Sequence, residues 1–157
     1  MDIRENFDNI KREISEACGK VDRSPEDIKV IAVTKYVTDA RVEQAIEAGV
    51  DSFAENRPQN YLKRKQKYFD KEWHLIGSLQ TRKVRDVINH VDYFHALDRE
   101  SLAKEIEKRA EDKVNCFVQV NVSGEESKHG LTSHETIEFI KSLEKYSKIN
   151  VIGLMTM

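Results

Sequence analysis

The chain has 157 residues, 39% apolar and 34% charged, with a formal net charge of −2. That length suits a single domain, residues 1–157, with a real core. The near-neutral balance sets up no field for nucleic acid or an anionic membrane, and no apolar run approaches the length of a membrane span. Cys18 and Cys116 have no CxxC partner, so they read as reduced packing thiols of a cytoplasmic protein. The N-terminus is acidic from its second residue and does not read as a secretory signal.

In chain order, Ile3, Phe7, Ile10, Ile14 and Cys18 fall at steps of three and four, which predicts an amphipathic helix ending near Gly19. Ser24-Pro25-Glu26-Asp27 reads as an N-cap with proline at the first helical position, hence a short helical turn. Val30-Ile31-Ala32-Val33-Thr34-Lys35 reads as a buried strand that stops on a cation. Thr38 or Asp39 caps the next helix, which Gly49 ends. Further strands are expected at 50–54, 72–77, 91–97, 115–122 and 150–157. Helices are expected from about Pro58 to Phe69, after Gln80, after a capping Asp98, and after a Thr132–Glu135 capping box. This alternation at intervals near twenty residues, behind a leading helix, predicts a parallel α/β sheet of TIM-barrel type. About six strands are found, whereas a closed (β/α)8 barrel has eight.

In such a fold the chemistry collects just after the strands. Those positions hold Lys35, Glu55-Asn56-Arg57, His74, Gly77, Ser78, Gln80, His95, Asp98, Asn121 and Met155. No Walker A loop, G-x-S-x-G elbow, dinucleotide fingerprint or metal-ligand spacing is present. Each histidine reads first as a solvated or capping residue. Lys35 has two readings: a strand-end lysine in solvent, or a reactive amine that forms Schiff bases with carbonyl ligands. The basic run Arg57, Lys63, Arg64, Lys65 and Lys67 reads as a solvated helix face rather than an RNA platform, since no aromatic residues interleave it.

Several segments carry a resemblance. They are Ala32-Val33-Thr34-Lys35, Ala54-Glu55-Asn56-Arg57, Trp73-His74-Leu75-Ile76-Gly77-Ser78-Leu79-Gln80, Gln119-Val120-Asn121-Val122 and Gly153-Leu154-Met155-Thr156-Met157. In this order and spacing the chain resembles the pyridoxal phosphate homeostasis proteins, often called YggS-like or PROSC-like. The resemblance implies an α/β barrel like the N-terminal domain of alanine racemase, without that enzyme's second domain. It implies that Lys35 binds pyridoxal 5′-phosphate (PLP) as an internal aldimine, with Asn56, His74 and Met155 around the cofactor ring. It implies a cofactor-handling protein rather than an enzyme, with PLP-dependent apo-enzymes as candidate recipients.

The chain departs from the family in Ala54, where Gly is usual, and in Ala96, where Ser is usual. Family members also continue past Gly-Leu-Met-Thr-Met into two more strands whose loops hold the phosphate. The resemblance therefore implies a C-terminally shortened barrel that keeps the amine and loses the phosphate grip, with open sheet edges that favour oligomers. Three other readings stay open: a PLP-dependent, racemase-like enzyme, a remnant that no longer binds, and an interaction module using the basic helix.

Overall fold

The structure is a computed structural model that describes residues 2–157. It divides into two compact units, one up to Phe53 and one from Ala54 onward.

In the first unit α1 (Ile3–Gly19) is capped by Asp2, whose carboxylate accepts from the Arg4 N–H at 2.9 Å. Its stripe buries Cys18, while Ile10 remains 44% exposed. The predicted Ser24 cap and proline-led turn form as a 3-10 turn over Pro25–Asp27. Strand β1 is only Ala32–Val33. The expected six-residue buried strand is thus cut short: Val33 is half exposed, and the chain turns at once through Thr34–Val37. Helix α2 (Asp39–Glu47) takes Thr38 as its cap and ends before Gly49 at φ 99°. A left-handed residue after a helix favours glycine, which has no Cβ to clash. The Arg4 guanidinium donates to the Glu47 carbonyl and ties α1 to the end of α2.

Strand β2 (Ser52–Glu55) is buried throughout and crosses the division between the units. The second unit continues with α3 (Pro58–Lys67), β3 (Glu72–Leu75), α4 (Val84–Val87), β4 (Tyr93–Leu97), α5 (Glu100–Arg109), β5 (Val114–Gln119), α6 (Ser133–Ser142) and β6 (Ile149–Met155). Six strands are present among the described residues, as the sequence rhythm predicts. Strands β3 to β6 pair in parallel, in chain order. The capping box at Thr132 and Glu135 forms with both of its hydrogen bonds. Asp98 does not cap α5: the residue before that helix is Arg99, and Asp98 instead pairs with the Arg99 guanidinium at 2.9 Å.

The pleat sorts side chains between the two faces of this sheet. Trp73, Leu75, Phe94, Cys116 and Val118 share one face and are fully buried. Burying aromatic or leucine side chains of this size contributes about 1.5–3 kcal/mol each. Tyr61, on α3, locks the start of that layer. Its hydroxyl donates to the His90 carbonyl at 3.0 Å and accepts from the Asp92 N–H at 3.1 Å. Burial raises the Tyr61 phenol above its ordinary value. Cys116 is buried without a disulfide, and burial pushes its thiol up to about 12. The opposite face carries Glu72, His74, Tyr93, His95 and Phe117, and there the chemistry collects.

Candidate functional site

Lys35 lies in the first unit, directly after β1, and its side chain is exposed. Thr34 is buried at 4% and anchors a turn closed by the Val37 N–H on the Thr34 carbonyl at 3.2 Å. Tyr36, the third residue of that turn, stands at φ 70°. A bulky side chain in the left-handed region is strained by about 1–3 kcal/mol, and such strain gathers at functional sites. The Tyr36 ring is 85% exposed, with Lys35 Nζ 5.8 Å from its centre. The sequence pattern suggests a lysine at the end of a buried strand. The structure instead places it on a strained surface turn.

Asn56, His74 and Met155 lie in the second unit. Asn56 follows β2 and is half-buried. Its main chain is pressed against Gly77: a Cβ added there would collide with the Asn56 carbonyl oxygen and come within 2.9 Å of the Asn56 side chain. The Ile76 N–H donates to the Glu55 carbonyl at 3.0 Å. Glycine at 77 is thus what lets the segment after β3 close onto the segment after β2.

His74 is 2% exposed and has both ring nitrogens engaged. Nε2 meets Glu72 Oε1 at 2.8 Å, and Nδ1 meets His95 Nε2 at 2.7 Å. Tyr93 stacks on its ring at 4.6 Å and 10°. His95 is 9% exposed, and Phe117 tilts against it at 4.3 Å. Burial, and then the neighbouring His74, lower the His95 imidazole to about 4, so it is neutral at physiological pH. The reading of every histidine as solvated or capping fails for this pair. The signal was the two-residue spacing of Glu72 with His74 and of Tyr93 with His95, which sets each pair on one face of its strand. That the two strands' pairs meet depends on register, with His74 opposite Tyr93.

Met155 ends β6 and pairs with Gln119. The β5–β6 register slips between Cys116 and Phe117, leaving Gly153 opposite Phe117. A slip of one residue exchanges the two faces of the strand beyond it. Gly153 therefore lies under the Phe117 ring, whose nearest atom is 3.1 Å from the position a Cβ would take, and Met155 moves to the face that carries Phe117. Met155 also borders an apolar groove with Val120, Val122, Thr136, Ile137 and Leu154. The loop after β5 is tied by Asn121, whose Nδ2 donates to the carbonyls of Glu125 at 2.7 Å and Lys128 at 3.2 Å.

The basic run on α3 is partly consumed by structure. Arg64 meets the buried Glu55 carboxylate at 3.5 Å, and Lys65 donates to Asp92 at 2.7 Å. Among the described residues no group of three His, Cys, Asp or Glu is arranged to hold a metal ion. No helix among them is long and apolar enough to cross a membrane.

Comparison with known proteins adds to this geometry. The pattern of the family described as "Alanine racemase, N-terminal domain" matches residues 3–157. A pyridoxal phosphate homeostasis protein of Haemophilus influenzae is 34% identical, across 99% of this chain and 68% of its own length. Among solved structures, an unknown protein from Bifidobacterium adolescentis superposes with a TM-score of 0.90 at 28% identity, covering 99% of this chain and 69% of that one. PipY of Synechococcus elongatus PCC7942, solved with PLP bound, superposes with a TM-score of 0.75 at 26% identity, covering 92% and 70%.

Proposed function

The chain belongs to the alanine racemase N-terminal domain family, among the pyridoxal phosphate homeostasis proteins, and from that premise we propose that it binds PLP through Lys35 and holds part of the cell's free cofactor. Its fold is the α/β, TIM-barrel-type fold of that family. The observation that carries the reading is the relative PipY, whose structure contains PLP.

The residues present suit such a cofactor. An exposed primary amine at Lys35 is accessible to an aldehyde, and a neutral amine is what condenses with one. Bound, PLP supplies an aldehyde for covalent capture and an electron-poor ring. The chain's own part is to hold and orient it. Asn56 offers a half-buried amide, set by the Gly77 contact, and Met155 an apolar thioether. His74 acts from within a hydrogen-bonded network, since both of its ring nitrogens are engaged by Glu72 and His95.

The reading as a carrier rather than a racemase is supported by the relatives' name, pyridoxal phosphate homeostasis protein; racemisation would need an acid or base on each side of the substrate. The protein acts inside the cytoplasm and passes cofactor to PLP-dependent apo-enzymes. Borohydride reduction in the presence of PLP, followed by peptide mass mapping, is expected to mark Lys35. Equal labelling of Lys35→Ala would overturn the site. Incubation with single-enantiomer amino acids is expected to leave their optical purity intact, and steady loss of purity would identify an enzyme.

A further inference from the structure

The buried imidazole pair has a direction. Glu72 opens β3, His74 lies two residues on, and His95 lies two residues beyond Tyr93, the register partner of His74. The chain of hydrogen bonds Glu72–His74–His95 therefore climbs toward the C-terminal ends of β3 and β4. Family-type binding positions such as Asn56 lie just after strands of this sheet. Along that chain every ring nitrogen but one meets a protein group. The exception is His95 Nδ1. Among the described residues it has no protein partner, and it is not among the fully buried atoms left without one. A side chain nine-tenths buried, with one polar atom still reachable, is built to meet a ligand rather than solvent.

We propose that His95, through Nδ1, is the ligand-facing end of a Glu72–His74–His95 relay that donates a hydrogen bond to an anionic oxygen, with His74 and Glu72 as positioning residues behind it. The relay requires one arrangement of protons along these contacts. The Glu72 carboxylate accepts the Nε2 proton of His74. When His74 also carries a proton on Nδ1, that N–H donates to His95 Nε2, whose lone pair is then occupied. A neutral His95 must hold its single proton on Nδ1, pointing at the ligand. In this arrangement the Glu72 carboxylate faces the His74 ring on one side, and Tyr93 stacks on that ring. No net proton is transferred to the ligand. Lowering of His95 toward 4 keeps it neutral and agrees with this arrangement. Glu72, Tyr93 and Phe117 are among the groups that pack against the pair.

The cofactor reading sets the choice of ligand, and the relay itself stands on geometry. The anionic oxygen can be the phenolic oxygen of a pyridoxal ring or a phosphate oxygen. The probes are therefore 4-deoxypyridoxine 5′-phosphate, which has no aldehyde to engage Lys35, and inorganic phosphate. Nitrogen-15 NMR of the histidine rings in the full chain reports the tautomer directly. In the probe complex His95 is expected to carry its proton on Nδ1, and in Glu72→Gln to shift it to Nε2. His95→Gln keeps an amide where Nε2 met His74 but removes the Nδ1 end, so it is expected to stay folded and lose about tenfold in probe affinity. His95→Asn, which places an amide near Nδ1, is expected to recover part of that loss. If phosphate alone shifts the His95 Nδ1 resonance, the partner oxygen is a phosphate oxygen. If only the deoxypyridoxine probe does, it is the phenolic one. A His95 proton found on Nε2 in the complex, or affinity unchanged in His95→Gln, overturns the relay and leaves the PLP reading standing. Failure of the deoxypyridoxine probe to bind wild-type protein at millimolar concentration overturns the relay, while the PLP reading stands or falls separately on borohydride labelling of Lys35.

Discussion

The turn that carries Lys35 and the sheet face that carries His74 and His95 solve opposite problems. On the proposed reading Lys35 must be reachable by an aldehyde, and it sits exposed on a turn of four residues, one of them held at φ 70°. The imidazoles must be held in one orientation, so they are buried and bonded at 2.7 and 2.8 Å. A covalent anchor draws its specificity from the bond it forms and tolerates exposure. A hydrogen-bonding group without that bond needs surroundings that exclude water and define its proton. The two sites should therefore respond very differently to mutation.

The largest effect is expected at Gly77. Gly77→Val forces a side chain into the Asn56 carbonyl and should cost about 3–5 kcal/mol in urea unfolding, because backbone must move to admit it. Next comes the pH profile of the buried face. His95 is lowered to about 4 from an ordinary 6.5, so the folded state binds fewer protons than the unfolded one in between. Its contribution is full above about pH 6.5 and is lost as pH falls toward 4, at most about 3 kcal/mol. Denaturation curves between pH 4 and 7 should flatten in His95→Gln, and an unchanged slope would show that the imidazole is not buried neutral.

Tyr36→Gly should act in the reverse direction and raise stability by about 1 kcal/mol, since glycine adopts positive φ without strain. A loss of stability there would mean that the Tyr36 ring contributes more than its backbone costs. Smallest of all, Lys35→Ala should leave the unfolding midpoint almost unchanged, within about 0.5 kcal/mol, while abolishing the borohydride-stable adduct.

The division between what the chain order reveals and what it hides follows the range of the interactions. The α1 stripe, the Ser24 cap, the Thr132–Glu135 box and the six strand positions all depend on neighbours within a few residues, and the structure has each of them. Asp98 misled because an adjacent arginine competes for its carboxylate. The length of β1 misled because apolar runs do not announce where a turn will cut them. The Glu72–His74–His95 chain was hidden for a different reason. Its members sit on two strands 21 residues apart at the imidazoles, and only parallel register brings them together. The slip that re-aims Met155 is likewise a property of the β5–β6 pair and of neither strand alone.

Cys116 gives the same sheet a clock. Its thiol is fully buried between β4 and β6, and at about 12 it supplies almost no thiolate at neutral pH. Alkylating reagents act on the thiolate, so modification must wait until the strands part. At high reagent concentration the labelling rate of Cys116 then equals the opening rate of the central sheet, with no added probe. Comparing that rate with and without cofactor would show whether capture at the strand ends slows the opening of the strands themselves.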